Sequence, residues 1–379
     1  MLKAFRYRLY PTKAQKTKID ATLELLRWVY NETLAVRKNS WEREKKSVSP
    51  FKTNKLLTGW KKERPKLNSV FSQVLQDAQV RVDLAFKVFF RRVKSGEKEV
   101  GYPRFKGRGR YDSLTYTQFG YKLESNKLTL AKIGAIRVKL HRPIQGEIRR
   151  ITVRRASTGK IFVSIIAEVS SNPVPFKDGS VVGVDVGLES FATLSNGEKT
   201  ANPRFFKNEE YELTKAQRRL SLQKKGSIEW HKRLKVVQRV HERIANKRSN
   251  FIHQESRKLV NRFGVIAFED LNVKGMQQNN NHGLAKSIAD ASWGMFVNAT
   301  RNKAEEAGSK VVLVNPQYTS QACSRCGLIV PKDLSERIHQ CECGLVMNRD
   351  LNAAINILRL GLQSLGLTAV EAHPLQGWE

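Results

Sequence analysis

Cysteine, acid and long apolar runs are what this chain has little of, and each shortage excludes a class. Only four cysteines occur among 379 residues, all between positions 323 and 343, so no disulfide framework spans the chain and nothing points to secretion. The longest apolar run, near Ile161–Val169, is far shorter than the roughly 20 residues a membrane helix needs. The opening MLKAFRYRLYPTKAQ lacks the continuous apolar core of a signal peptide. A cytoplasmic protein without a membrane partner is expected. Acids number 35 against 68 Lys and Arg, a formal charge of +33 spread along the whole length. Such a surplus repels itself until a polyanion neutralises it, so nucleic acid is the expected partner and the nucleoid the expected location. With 40% hydrophobic residues the chain is no disordered basic tail; it has material for two or three domains. A monomer is the favoured state.

The cysteines are placed as Cys323-x2-Cys326 and Cys341-x-Cys343, each pair followed at once by a glycine, Gly327 or Gly344. Four thiolates in so short a segment predict one tetrahedral, structural Zn2+ in a ribbon. Just beyond, Asp350 opens NRDLNAAINILRL, where Leu351, Ile355 and Leu358 keep a helical period. On its own, that acid is also explained as a helix cap.

The N-terminal half changes character twice. Residues 2–9 alternate, with Leu2, Ala4, Tyr7 and Leu9 against Lys3, Arg6 and Arg8, which predicts a short strand. From Lys13 to about Trp41, Ile19, Leu23, Leu26, Val29 and Tyr30 recur at spacings of three and four. After a polar break containing Pro50 and Pro65, Val74, Ala78, Val82, Ala85, Phe86 and Phe89 mark a second helix. Its polar face, with Gln73, Gln76, Asp77 and Arg81, suits either solvent or base edges. A Gly-rich basic hinge, GYPRFKGRGR, leads into five strand-like segments, Leu114–Phe119, Lys127–Leu130, Ala135–Leu140, Ile148–Arg154 and Ile161–Val169. If residues 2–9 join that sheet or barrel, the helices are an insertion in it.

Beyond the Pro173–Pro175 break lies VVGVDVGLESFATL, an apolar strand carrying Asp185 between Gly183 and Gly187. An acid there either sits at the exposed strand end or is balanced by a cation. Between Lys215 and Arg248, Lys and Arg number 12 against two Glu. Lys232, Lys235, Arg239, Arg243 and Lys247 recur at helical spacing opposite Leu234, Val237, Val240 and Ile244, which predicts a helix facing phosphates. A second apolar strand, FGVIAFEDLNVKGM, ends in Glu269-Asp270; neighbouring strand residues point to opposite faces, so one of the two can join Asp185, and spacing leaves open which. A helix over Trp293–Ala307 and a strand over Lys310–Val314 complete the region. Three acids in apolar or basic settings match the needs of a two-metal phosphodiester-cleaving centre. One ion activates water and the other, about 4 Å away, stabilises the leaving oxygen.

Six ordered motifs together carry a resemblance: FRYRLYPTKAQ, YPRFKGR, GVDVGLESFATLSNG, AFEDLNVKGM, YTSQACSRCG and NRDLNAAINI. The chain resembles the TnpB (OrfB) family of insertion-sequence transposons, relatives of the type V CRISPR effectors. The resemblance implies an α+β multidomain fold. A wedge β-barrel (1–10 and 111–178) holds an inserted helical recognition domain (11–110). A RuvC-like RNase H-fold nuclease (179–317 and 347–366) holds an inserted zinc ribbon (318–346), and a tail (367–379) ends the chain. It implies an RNA-guided DNA endonuclease with a transposon-encoded guide RNA, cutting double-stranded DNA beside a short target-adjacent motif, with two Mg2+ on Asp185, Glu269 and Asp350. Gln73, Gln76, Thr117 and Gln118 resemble positions that contact that motif. The chain departs from the family's pattern at Asn348, often aspartate there, and at Cys341-x-Cys343, commonly C-x2-C. Two other readings compete. A guided repressor that binds without cutting predicts a damaged acid triad, yet all three acids are present; an accessory transposase predicts a paired-histidine-and-tyrosine site, and the seven histidines are scattered, with His282 and His339 expected at the surface or in support of other ligands.

Overall fold

The computed structural model describes residues 1–97, 99–169, 180–278, 281–333 and 335–367 and divides the chain into two compact units, Met1–Ser171 and Asn172–Glu379. The Pro173–Pro175 break and residues 368–379 of the expected tail lie outside the described residues.

In the first unit, strand β1 (Leu2–Tyr10) is followed by helices α1 (Lys13–Glu44), α2 (Pro50–Glu63) and α3 (Ser72–Lys94), with a 3-10 turn at Pro65–Ser69. Six strands follow: β2 (Ser113–Tyr116), β3 (Tyr121–Glu124), β4 (Lys127–Leu130), β5 (Gly134–Lys139), β6 (Glu147–Arg155) and β7 (Ile161–Glu168). They form one antiparallel, barrel-like sheet in the order β2-β6-β7-β1-β5-β4-β3. Strand β1 lies between β7 and β5, so the three helices are inserted into the sheet's connectivity. The first strand's inward face differs from the expected one. Phe5, Tyr7 and Leu9 are buried while Leu2 and Ala4 face out with Arg6, because the odd-numbered set holds the larger apolar side chains. The expected polar break is largely helix: Pro50 takes the first helical position, where its missing N–H costs nothing, and Ser49 caps Lys52 N. Ile19, Leu23 and Val29 of α1, Val74 and Val82 of α3 and the inward residues of β6 and β7 belong to one continuous core, so helices and sheet do not fold around separate centres.

The second unit opens with β8 (Val181–Asp185), β9 (Ser190–Leu194) and β10 (Lys199–Ala201), then helices α4 (Phe205–Ser221) and α5 (Ile228–Arg262). Strand β11 (Val265–Glu269), helices α6 (Val273–Gln278), α7 (His282–Ala291) and α8 (Trp293–Ala307), and strand β12 (Lys310–Val314) follow. A small hairpin, β13 (Ile338–Gln340) and β14 (Val346–Asn348), precedes α9 (Arg349–Ser364). The five-stranded sheet has the order β10-β9-β8-β11-β12, with β8, β11 and β12 parallel and β9 and β10 antiparallel.

Helix α9 lies directly on this sheet because two glycines let it. A Cβ on Gly183 of β8 would come within 2.0 Å of the Ala354 carbonyl oxygen, and one on Gly361 within 2.6 Å of the Ala267 Cβ in β11. Neither contact is relieved by a side-chain rotation. Gly183→Ala should therefore push α9 off the sheet at a cost of about 1–3 kcal/mol or more, lowering the melting temperature of the unit by about 2–4 °C per kcal/mol in a calorimetric scan.

Candidate carboxylate and cysteine sites

The close approach of α9 fixes which acids can meet. Positions 183 and 267 point at the helix, and strand residues two apart share a face, so Asp185 and Glu269 point the same way as Gly183 and Ala267. The parallel register pairs Val184 with Phe268, and one step further brings Asp185 beside Glu269 at the carboxyl ends of both strands. Asp270 falls on the opposite parity and is exposed, its backbone N–H held by the Val314 carbonyl at 2.8 Å. Asp350 stands in the first turn of α9, one turn before Ala354, the residue in contact with Gly183. The structure thus brings Asp185, Glu269 and Asp350 toward one face.

Electrostatics agree with that placement. Burial first, and then the charges of Glu269 and Asp350, push the Asp185 carboxyl up from 3.8 to about 8 against the opposing pull of Arg349. Burial likewise raises Glu269, offset by the hydroxyl of Thr319, which donates to its carboxylate. A buried carboxylate raised by two acidic neighbours belongs to a donor set suited to hard divalent cations, which take oxygen ligands. Their spread is looser than that of the cysteines, the one group of metal-capable side chains among the described residues whose donor atoms all lie within 4.8 Å of one another. Asn348 caps α9, accepting from Asp350 N at 3.1 Å and Leu351 N at 3.3 Å. Asparagine therefore fills a structural place that leaves the three acids intact.

The sulfurs of Cys323 and Cys343 are 3.6 Å apart and those of Cys326 and Cys341 3.5 Å, with no disulfide among them. Tetrahedral thiolates about 2.3 Å from a zinc ion would be about 3.8 Å apart, so the donor set fits that metal. Each pair turns at a glycine in the left-handed region, Gly327 (φ 81°) and Gly344 (φ 83°), whose N–H returns to the carbonyl of Cys323 or Cys341 at 2.9 Å. The one-residue spacer of Cys341-x-Cys343 therefore still delivers both sulfurs. Burial raises the Cys323 thiol, but N–H groups of Cys326 and Arg325 and the ring of His339 outweigh it and bring it down to about 5. His339 is fully buried beside this cluster and contacts Lys332, whereas His282 is exposed.

Sequence reasoning missed the strap between the two sites. Asn352 and Asn356, one turn apart on α9 and fully buried, both donate to the Ala322 carbonyl, at 2.8 and 2.7 Å. Asn356 also donates to the Thr319 carbonyl at 2.9 Å, and Asn352 accepts from Ser324 N at 2.9 Å. Nothing in the sequence itself pairs these two asparagines with residues 319–324.

The expected nucleic-acid residues divide. Gln73 of α3 meets the bend after β2, its amide oxygen accepting from Phe119 N at 3.2 Å and its amide reaching Gln118 at 3.5 Å. Gln76 and Gln118 are exposed and Thr117 half-buried. Asp77 and Arg81 are instead half-buried and engaged within the unit: they pair at 2.7 Å, and Arg81 also donates to Ser113 and Thr115 of β2. On α5, Val237, Val240 and Ile244 pack against Leu213 and Ala216 of α4, leaving all five predicted cations exposed. Arg243 and Lys247 bracket Glu209 of α4 at 3.0 and 2.8 Å, and Lys232 lies 3.3 Å from Glu229. Lys235 and Arg239 have no acidic partner among the described residues. No described helix is long and apolar enough to cross a membrane.

Comparison with known proteins reaches most of the chain. Three family profiles match: "Probable transposase" over residues 164–280, "Cas12f1-like, TNB domain" over 293–357 and "Helix-turn-helix domain" over 1–46. A Streptomyces pristinaespiralis protein, provisionally named an RNA-guided DNA endonuclease, is 36% identical over 95% of this chain and 89% of its own length. The Escherichia coli K12 protein InsQ, with the same provisional name, is 32% identical over 95% of this chain and 92% of its own. Among solved structures, a Cas12f1–sgRNA–target DNA complex aligns with a TM-score of 0.58 over 94% of this chain and 98% of that one. At 13% identity, that likeness concerns the fold.

Proposed function

The chain belongs to the TnpB (OrfB) family, and on that premise we propose that it is an RNA-guided DNA endonuclease that cuts double-stranded DNA beside a short target-adjacent motif. The observation that carries the reading is the convergence of Asp185, Glu269 and Asp350 at the carboxyl ends of two parallel strands under the N-terminus of α9. These three carboxylates would hold two Mg2+. Bound there, the ions supply charge neutralisation at the scissile phosphate and an activated water. The chain's own part is to orient the carboxylates and to exclude bulk water from the Asp185 recess; a bound cation would offset the burial and the acidic neighbours that otherwise hold Asp185 protonated.

In this reading, residues 1–10 and 111–178 are the wedge barrel and 11–110 the recognition helices. Residues 179–317 and 347–366 are the RuvC-like nuclease, and 318–346 are the ribbon held by one structural Zn2+ on the four cysteines. Gln73, Gln76, Thr117 and Gln118 face the adjacent motif, and Lys232, Lys235, Arg239, Arg243 and Lys247 face phosphates, with Lys235 and Arg239 the stronger contributors because Glu209 draws on Arg243 and Lys247.

Sequencing RNA that copurifies with the protein tests the guided mechanism. A transposon-derived RNA whose variable end directs plasmid cleavage is expected, and a nuclease indifferent to RNA would overturn it. Affinity for the guide should fall by about 10³–10⁵ between 50 and 200 mM salt if six to ten phosphates are contacted. A flat response in a filter-binding titration would count against the polyanion role of the +33 charge.

A further inference from the structure

Thr319 is 4% exposed and its hydroxyl has a single proton with two acceptors in reach, the Glu269 carboxylate and the Pro316 carbonyl at 3.0 Å. The charged acceptor takes the stronger bond. The segment bearing Thr319 cannot drift, because Asn356 holds its carbonyl and, with Asn352, holds Ala322 three residues on. Both asparagines belong to α9, the helix that carries Asp350. One carboxylate of the trio is thus gripped by a hydroxyl whose own backbone is fastened to the element supplying another.

We propose that Thr319 is a positioning residue that sets the orientation of the Glu269 carboxylate for cation binding, and that Asn356 keeps it in register with Asp350 on α9. The inference rests on the endonuclease reading of the carboxylates. An acid that binds a cation through one oxygen swings freely unless its other oxygen is held, and losing such a support typically costs 10–100-fold in metal affinity or activity. The hydroxyl supplies that hold without adding a positive charge that would compete with the cation.

The test compares Thr319→Val, Thr319→Ser and Asn356→Leu as guide-RNA complexes, with Asp185→Ala as the blank. Cleavage is measured against Mg2+ concentration, and Mn2+ binding is followed independently by electron paramagnetic resonance after subtracting the blank. Thr319→Val should raise both midpoints by about tenfold or more. DNA binding and zinc content should stay unchanged, and Thr319→Ser should restore both midpoints. Asn356→Leu should shift them in the same direction, and the double variant should be no worse than Thr319→Val alone, as for residues acting through one contact. Wild-type midpoints in Thr319→Val beside an inactive Asp185→Ala would overturn the positioning role and leave the endonuclease reading standing. Lost zinc in Thr319→Val, or a Thr319→Ser as impaired as the valine, would also overturn it, since either makes the residue a packing element. Cleavage by Asp185→Ala would instead remove the reading on which the inference rests.

Discussion

Asp185→Ala should abolish cleavage while leaving guide-dependent DNA binding in place. The carboxylate sits where the two parallel strands end, close enough to Glu269 and Asp350 to feel both charges, so in the proposed centre its loss would remove a ligand shared with them. Metal stabilisation of a phosphoryl-transfer transition state is worth several kcal/mol, so the rate should fall by about 10³-fold or more in a plasmid-nicking assay. Binding to target DNA, measured by gel shift, should hold; its loss would make the acid a structural residue. The pH dependence has a definite sign. Without cations the folded chain keeps on Asp185 a proton that the unfolded chain releases near 3.8, so this group's contribution to stability is full below pH 4 and is lost as pH rises to about 8. The neutral isostere Asp185→Asn should consequently melt higher than wild type at pH 8 in chelator, by about 2–4 °C for each kcal/mol recovered, and nearly with it at pH 4. Cation binding needs the ionised form, so the Mg2+ midpoint for cleavage by the wild type should fall as pH rises from 6 to 8.

What the sequence made legible here follows from the chemistry of each signal. Asp185 and Asp350 stood out because an acid beside Val182, Val184 or Leu351 has few apolar excuses, and the cysteines because chance does not crowd four of them together. The choice between Glu269 and Asp270 was different. It depends on which face of β11 meets α9, and that is set by Gly361 lying over Ala267, a contact between positions 94 residues apart. Helix α2 was hidden by Pro50, which reads as a breaker until Ser49 is seen to cap the turn it begins. Thr319, Asn352 and Asn356 were invisible for a related reason: a polar residue near a metal segment looks like surface until its partners across the fold are known. Glu209 had a similar effect on the basic helix, since its ion pairs with the exposed Arg243 and Lys247 bridge α4 and α5, which no spacing within α5 announces.

The cysteine site yields the other large effect, because the ribbon has almost no core of its own. Cys323, Cys341 and Leu345, with Val330 and Met347 beside them, form its hydrophobic cluster among the described residues, separate from the apolar layers around β8, β11 and α9. Apparent zinc-binding energies of about 10–16 kcal/mol in small thiolate domains equal or exceed the stability of an entire domain, so with zinc bound a cluster this small would hold its form through the metal. One zinc per chain is expected by atomic emission. Cys323→Ser should lose that zinc and most of the hydrogen-exchange protection at the amides of Gly327, Cys341 and Gly344, while the amides of β8 and β11 stay protected. Cleavage should fall as well, since Ser324 N and the Ala322 carbonyl, next to the lost ligand, are what Asn352 and Asn356 grip on α9. Freed there, the segment no longer presents Thr319 to Glu269. A Cys323→Ser protein with one bound zinc and an ordered ribbon would show that the four sulfurs do not form the metal site, and an ordered sheet with unimpaired cleavage after zinc loss would show that the strap carries nothing between the sites.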